Sequence, residues 1–215
     1  MGQGPDGGQL NRVSHPGFPV DKAQVLLHWL PLGAGARSVA WNGRTFEAVA
    51  ARYQHRAPCD LYHSALVVWV GGARFTIEMA PAWAGPAGER GVVREGPVGS
   101  SMLGHSRLFR YEVRCWRDGV VPDIAAAVGG PRLVGVDPVA ARHLITLTRC
   151  VPRLTWGRDE RRVGEMWNSN SVTSWLLARS GHDLTALAPP SHGRAPGWTA
   201  GLTVAALVGE AVMES

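Results

Sequence analysis

Lysine is almost missing from this chain: of its 22 basic residues, only Lys22 is a lysine. A formal charge of +5 carried by scattered arginines reflects compositional bias rather than a nucleic-acid footprint, so no nucleic-acid partner is expected. Cysteine is equally scarce. Cys59, Cys115 and Cys150 are odd in number and lack CxxC spacing, which argues against a disulfide framework and a zinc site. Cys115 and Cys150 are expected to be small buried hydrophobes. The longest apolar stretch, residues 200–213, is too short for a span of roughly twenty residues, so no membrane span is expected. No basic start followed by an apolar run opens the chain, and a cytoplasmic protein is expected. Glycine-rich phosphate loops are absent, and His28, His105 and His143 lack ligand spacing, so neither cofactor nor metal is expected.

What is present suits one domain. With 215 residues, 45% of them hydrophobic, the chain can fill one core. Residues 1–20 read as a flexible tail and 21–215 as a single domain. Residues 24–32 (QVLLHWLPL) read as a strand, with 38–41 as a partner and 45–53 as a short helix. Residues 61–70 (LYHSALVVWV) form a near-continuous apolar run, as in a strand buried on both faces. Gly71-Gly72 then predicts a two-residue hairpin into the alternating stretch 73–80 (ARFTIEMA). Residues 83–104 read as surface loop with a short extended piece at 91–94. Along 107–116, Phe109, Tyr111, Val113 and Cys115 alternate with Arg110, Glu112 and Arg114, predicting a half-exposed antiparallel strand. Residues 122–128 predict a helical turn or two. Asp137-Pro138 caps a helix with Ala141, Leu144, Ile145 and Leu147 on its stripe. Loop follows over 152–165, then a helix to the C′ glycine Gly181, and a C-terminal helix. The class is α+β, an antiparallel sheet packed against helices.

Two features carry chemistry. If Gly71 and Gly72 are the central turn residues, Val70 pairs with Ala73, and His63 and Glu78 become diagonal neighbours on one face. Either the carboxylate orients the imidazole as a general base, or Glu78 pairs with an arginine such as Arg74 and His63 is a core histidine. The second feature is Asn168-Ser169-Asn170-Ser171, between Trp167 and Val172. One N-cap needs one residue, and here four polar residues occur in a row. Helical spacing puts Ser169 on the side of Val172, Thr173 and Leu176, at the positive end of the helix dipole. Trp69, Trp167 and Trp175 are candidates for lining a pocket, or for plain core packing.

A histidine on an early strand facing the mouth of a later helix resembles the circularly permuted branch of the papain-like NlpC/P60 superfamily, which often carries Asn-Cys-Asn at that helix. Asn168-Ser169-Asn170 matches it, with serine in the cysteine position. The chain is also similar to a bacterial family built on a domain of unknown function, with Pro-Asn-Ser-Asn-Thr-Phe at the helix, a His-Thr-Trp strand and a Tyr-Glu-Val strand. Tyr62-His63-Ser64 and Ile77-Glu78-Met79 answer to the last two, while Trp167 and Val172 replace the proline and phenylalanine. The resemblance implies a permuted papain-like fold over residues 23–198 and a hydrolase or acyltransferase acting on an amide or ester of a small-molecule, lipid or peptide substrate. In that reading Ser169 is the nucleophile, His63 the general base and Glu78 its orienting partner. The Ser169 amide, Asn168 and Asn170 serve the oxyanion, and Trp167 lies at the substrate site. The alternative is a catalytically inactive papain-like fold that binds a ligand or partner, since serine is far less ionised than cysteine. Oligomeric state is not written in the sequence.

Overall fold

The structure is a computed structural model that describes residues 18–32, 59–83, 91–121 and 123–213. The proposed strand at 38–41 and helix at 45–53, and nearly all of the tail at 1–20, lie outside the described residues. Within them the chain is α+β. The strands are β1 (Ala23–Pro31), β2 (Asp60–Val70), β3 (Ala73–Pro81), β4 (Val92–Pro97), β5 (Arg110–Arg117), β6 (Arg132–Gly135) and β7 (Gly193–Arg194). The helices are α1 (Pro138–Leu147), α2 (Ser169–Arg179) and α3 (Trp198–Met213). No helix among the described residues is long and apolar enough to cross a membrane.

The sheet runs in the order β4-β5-β3-β2-β1-β6 with antiparallel neighbours, and β7 adds a two-residue parallel pairing to the start of β2. The β2–β3 hairpin turns at Gly71 and Gly72, whose φ of 61° and 72° are left-handed values open to glycine at little cost. Its register is Val70 opposite Ala73 through Leu66 opposite Ile77, as the glycine pair predicts. Asp137 caps α1 by accepting from the N–H groups of Val139 and Ala140, and Pro138 opens the helix where its missing N–H costs nothing.

Alternation divides the sheet into two faces. Val25, Leu27 and Trp29 of β1, Leu66 and Val68 of β2, Ile77 and Met79 of β3 and Tyr111 and Val113 of β5 point to one side. There they join Leu144 of α1, Val172, Trp175, Leu176 and Leu177 of α2 and Val204 of α3 in the main core. On the other side Leu30, Ala65 and Val121 make a smaller cluster, flanked by Ile124 and Ala127 around the turn Ile124–Ala126.

Three expectations need correction. The strand expected at 107–116 begins only at Arg110, after a helical turn at Arg107–Phe109, and it is not half-exposed: its second face buries Glu112 and Arg114, at 2% and 5% exposure, because these two neutralise one another there. Cys150 is exposed, because the last turn of the α1 region, Thr148–Cys150, buries only Thr148. The extended piece at 91–94 is a full strand of the sheet edge, reaching Pro97 through its pairing with β5.

Candidate functional site

The polar run at the mouth of α2 is chiefly a fastening. Asn168, in extended backbone (φ −160°), is the N-cap: its Oδ1 accepts from the N–H of Asn170 at 2.9 Å and of Ser171 at 3.3 Å. Ser171 Oγ accepts in return from the Asn168 N–H at 3.0 Å, which closes a capping box with serine in the position usual for Glu or Gln. The same hydroxyl donates to the Gly197 carbonyl at 2.7 Å. Asn168 Nδ2 donates to the Pro196 carbonyl at 2.8 Å, and Ser174 Oγ to the Trp198 carbonyl at 2.7 Å. Asn170 Nδ2 bridges two segments, donating to the carbonyls of Tyr62 and Pro196, each at 2.9 Å. The turn 195–198 therefore locks the helix mouth. Its Pro196-Gly197-Trp198 punctuation was the available signal in the sequence for this role. Gly197 has φ +85°, and a Cβ there would lie 2.5 Å from Asn168 Oδ1.

Ser169 stands apart from this network. It occupies the first turn of α2, is 7% exposed, and its hydroxyl has no hydrogen-bond partner among the described residues. Its main-chain N–H belongs to the first turn, where no intrahelical acceptor exists, and it receives none from the cap, which serves Asn170 and Ser171. One hydroxyl and one amide thus remain at the positive end of the helix dipole.

His63 and Glu78 share a sheet face, as the hairpin register requires: Leu30 lies opposite His63, and continuing the β2–β3 pairing sets Ala65 opposite Glu78. This face is the one bearing Leu30 and Ala65, whereas the apolar side chains of α2 pack on the other. Among the described residues no hydrogen bond joins His63 to Ser169 or to Glu78. Burial holds the His63 imidazole below its usual range, opposed by the charge of Asp123.

Glu78 has an arginine for a partner, and that arginine is Arg114 rather than Arg74. Arg114 Nη1 donates to Glu78 Oε1 at 2.9 Å, and its Nε donates to Glu112 Oε2 at 2.9 Å. Arg74 instead spans the β3–β5 end, donating to the carbonyls of Asp118 and Gly119. Arg114 stands directly across from Glu78 on β5, which places the guanidinium within reach, while Arg74 lies four residues along its own strand. Burial pushes the Glu78 carboxyl up, and Arg114 pulls it back down.

Two further assignments change. Both hydrogens of the Asn170 side-chain amide are committed to carbonyls, so that group has none left for an oxyanion. Trp167 is 2% exposed within the main core, its backbone bonded to Arg158 and Gly157, which removes it from any substrate surface. Trp175 is buried in the same core, and Trp69 stacks on Phe18 with ring centroids 5.2 Å apart. No cluster of three or more His, Cys, Asp or Glu side chains able to hold a metal occurs among the described residues. Neither a protein-family model, nor a curated protein, nor a solved structure matches the chain.

Proposed function

We propose that the chain is a hydrolase or acyltransferase with a permuted papain-like fold, acting on an amide or ester with Ser169 as nucleophile and His63 as general base. The observation that carries this reading is the hydrogen bond from Asn170 Nδ2 to the Tyr62 carbonyl. It joins the residue after Ser169 to the main chain of the residue before His63, so the helix mouth meets the histidine strand, while the imidazole itself leaves the strand on the other sheet face and has to reach the hydroxyl past the end of the β2–β3 ladder. In the reaction Ser169 Oγ attacks the acyl carbon while its proton passes to the neutral imidazole. The Ser169 amide stabilises the oxyanion, and the imidazolium then protonates the leaving group. Water or a second acceptor releases the acyl group by the reverse path. Glu78, on the same sheet face, is assigned to orient the imidazole in the substrate complex, and Asp123 is the carboxylate whose charge acts on it in the free chain.

One specific observation favours the second reading, a non-catalytic papain-like fold that binds a ligand or partner. Asn168, Asn170 and Ser171 are all spent on structure, which leaves the polar run intelligible without catalysis.

A fluorophosphonate probe read by intact mass separates the two. The catalytic reading expects one adduct on the wild type and none on Ser169→Ala or His63→Ala. A Ser169→Cys variant gives an independent measure, because a thiolate at a helix N-terminus beside an imidazole forms at lower pH. Its alkylation rate by iodoacetamide should rise at a pH below the ordinary thiol range and shift upward when His63→Ala is added. No adduct, together with a thiol profile indifferent to His63, rejects catalysis.

A further inference from the structure

The connection between β4 and β5 turns apolar side chains outward. Val98 N–H donates to the Phe109 carbonyl at 2.8 Å and closes the neck of this connection. Beyond the neck the chain makes two tight helical turns, Ser101–His105 and Arg107–Phe109, and neither buries a residue. Main-chain bonds hold their shape, from Leu103 N–H to the Ser100 carbonyl, from Ser106 to Leu103 and from Phe109 to Ser106. Met102, Leu103, Leu108 and Phe109 are all exposed, from 42% at Phe109 to 83% at Met102. Trp83, 52% exposed, belongs to the same tip. Arg107 Nη2 donates to the Ala82 carbonyl at 3.3 Å and the Ala82 N–H to the Arg110 carbonyl at 2.9 Å, which ties the residue before the tryptophan to both ends of the second turn.

Single exposed apolar residues are ordinary on a protein surface, but five gathered at one tip form a patch. At about 200 Å² for a whole large apolar side chain, these five present roughly 600 Å², the upper end for a patch on a lone chain. A standard protein–protein interface takes about 800 Å² from each partner, so the tip alone falls short of what a second copy needs. Its charge is of one sign. No acidic residue occurs between Glu95 and Glu112, while His105, Arg107 and Arg110 lie within that span. The carboxylates beside the tip are engaged: Glu95 pairs with Arg110 at 3.2 Å. Across the cavity lined by Ser100 and Ser101, Asp159 accepts from the N–H groups of Val163 and Gly164, and Glu160 from the N–H and hydroxyl of Thr155.

We propose that the tip formed by residues 101–109 and Trp83 docks the protein on an anionic lipid surface. Met102, Leu103, Leu108 and Phe109 enter the boundary between headgroups and acyl chains, Trp83 lies at headgroup level, and Arg107 faces the lipid phosphates. Aromatic and aliphatic side chains beside arginine, with no acid among them, are the set that this boundary takes. Entry is shallow, because main-chain groups of a turn that lack an internal partner must stay within reach of water. No helix among the described residues is long and apolar enough to cross a bilayer, and docking at its surface needs none. The surface stands apart from Ser169 and does not depend on its chemistry.

Co-sedimentation of the full chain with phosphatidylcholine vesicles containing about 30% phosphatidylglycerol tests this. The expected result is a partition that weakens with salt and falls on pure phosphatidylcholine. Met102→Ser/Leu108→Ser should lose at least about tenfold in partition, since it removes the two most exposed apolar side chains of the tip. A matching thermal melt shows that the variant is folded; should it not be, Leu108→Ser alone is expected to lose about threefold. Arg107→Gln should lose about fivefold on the anionic vesicles and little on the neutral ones, the effect of one basic side chain at a charged surface. Leu133→Ser and Val139→Ser, exposed on β6 at the opposite edge and on α1, should bind like the wild type. Absence of partition at low salt overturns the proposal, as does an equal loss with Leu133→Ser or Val139→Ser. Equal partition into pure phosphatidylcholine rejects the anionic surface. Sedimentation equilibrium without lipid that shows a dimer lost in Met102→Ser/Leu108→Ser assigns the tip to a second copy and likewise overturns it.

Discussion

Asn170 and Tyr62, 108 positions apart in the chain, meet through one buried hydrogen bond of 2.9 Å from a side-chain amide to a main-chain carbonyl. That bond sits where β2 has passed the end of its ladder with β3, which runs only from Leu66 to Val70 on β2. The helix mouth thus supplies a donor that the neighbouring strand does not.

Replacing Asn170 with alanine should therefore leave the Tyr62 carbonyl without that donor, while the Pro196 carbonyl keeps its bond from Asn168 Nδ2. At about 1–3 kcal/mol for a buried acceptor left unpaired, the loss is about 1–3 kcal/mol, read as a lower urea midpoint with unchanged slope. Asn170→Asp should be worse than alanine, since it turns an acceptor toward acceptors. A loss below half a kcal/mol for both would show that the bond does not organise the helix mouth.

Gly201 offers a reversal of sign. Glycine to alanine inside a helix ordinarily stabilises by about 1 kcal/mol. Here the added Cβ would sit 2.1 Å from the Ser171 carbonyl oxygen and from Ser174 Oγ, so α3 could no longer lie this close to α2. Gly201→Ala is expected to lower the melting temperature by several degrees, and a rise would refute the close approach.

The Glu78–Arg114–Glu112 cluster has side chains only 10%, 6% and 3% exposed. Arg114→Met should cost about 3–5 kcal/mol, because it strands two carboxylates away from water. Adding Glu78→Gln and Glu112→Gln to Arg114→Met should recover part of that loss, which equilibrium unfolding of the three variants measures.

Acid should weaken the fold through its buried imidazoles. Burial lowers His28, His63 and His182 in the folded chain, so each binds its proton more readily when unfolded. Their stabilisation is fully present above the ordinary imidazole value of about 6.5 and is lost as pH falls from there through the folded values. Glu78 acts in the opposite sense: its raised carboxyl favours the folded state below the ordinary carboxylate range, and that contribution is lost as pH rises through the raised value. The urea midpoint should fall between pH 7.5 and 5.5, and by less in His63→Gln. An unchanged slope in that variant would mean that the imidazole is solvated.

How much of this was legible follows from which interactions are local. The Gly71-Gly72 turn and the Asp137-Pro138 cap act over a few residues, and both appear where the sequence put them. The shared face of His63 and Glu78 followed from counting back along the hairpin. Arg114 as the partner of Glu78 did not, because β5 inserts beside β3 and leaves β4 outermost, an order that no local pattern encodes. The same applies to the burial of Glu112, which alternation alone assigns to solvent. At the helix mouth, the four polar residues were evident, but their division into three fasteners and one unengaged serine depended on the turn 195–198 arriving from further along the chain.

The outer rim of β4 has a consequence for how copies of the chain treat one another. Main-chain groups along it already have partners: Trp156 N–H donates to the Pro97 carbonyl, Arg153 Nε to the Glu95 carbonyl, and Gly99 N–H to the Trp156 carbonyl. At the far rim β6 offers only four residues. Strand-to-strand polymerisation needs a long bare rim as a template, so neither border of the sheet can readily seed aggregation.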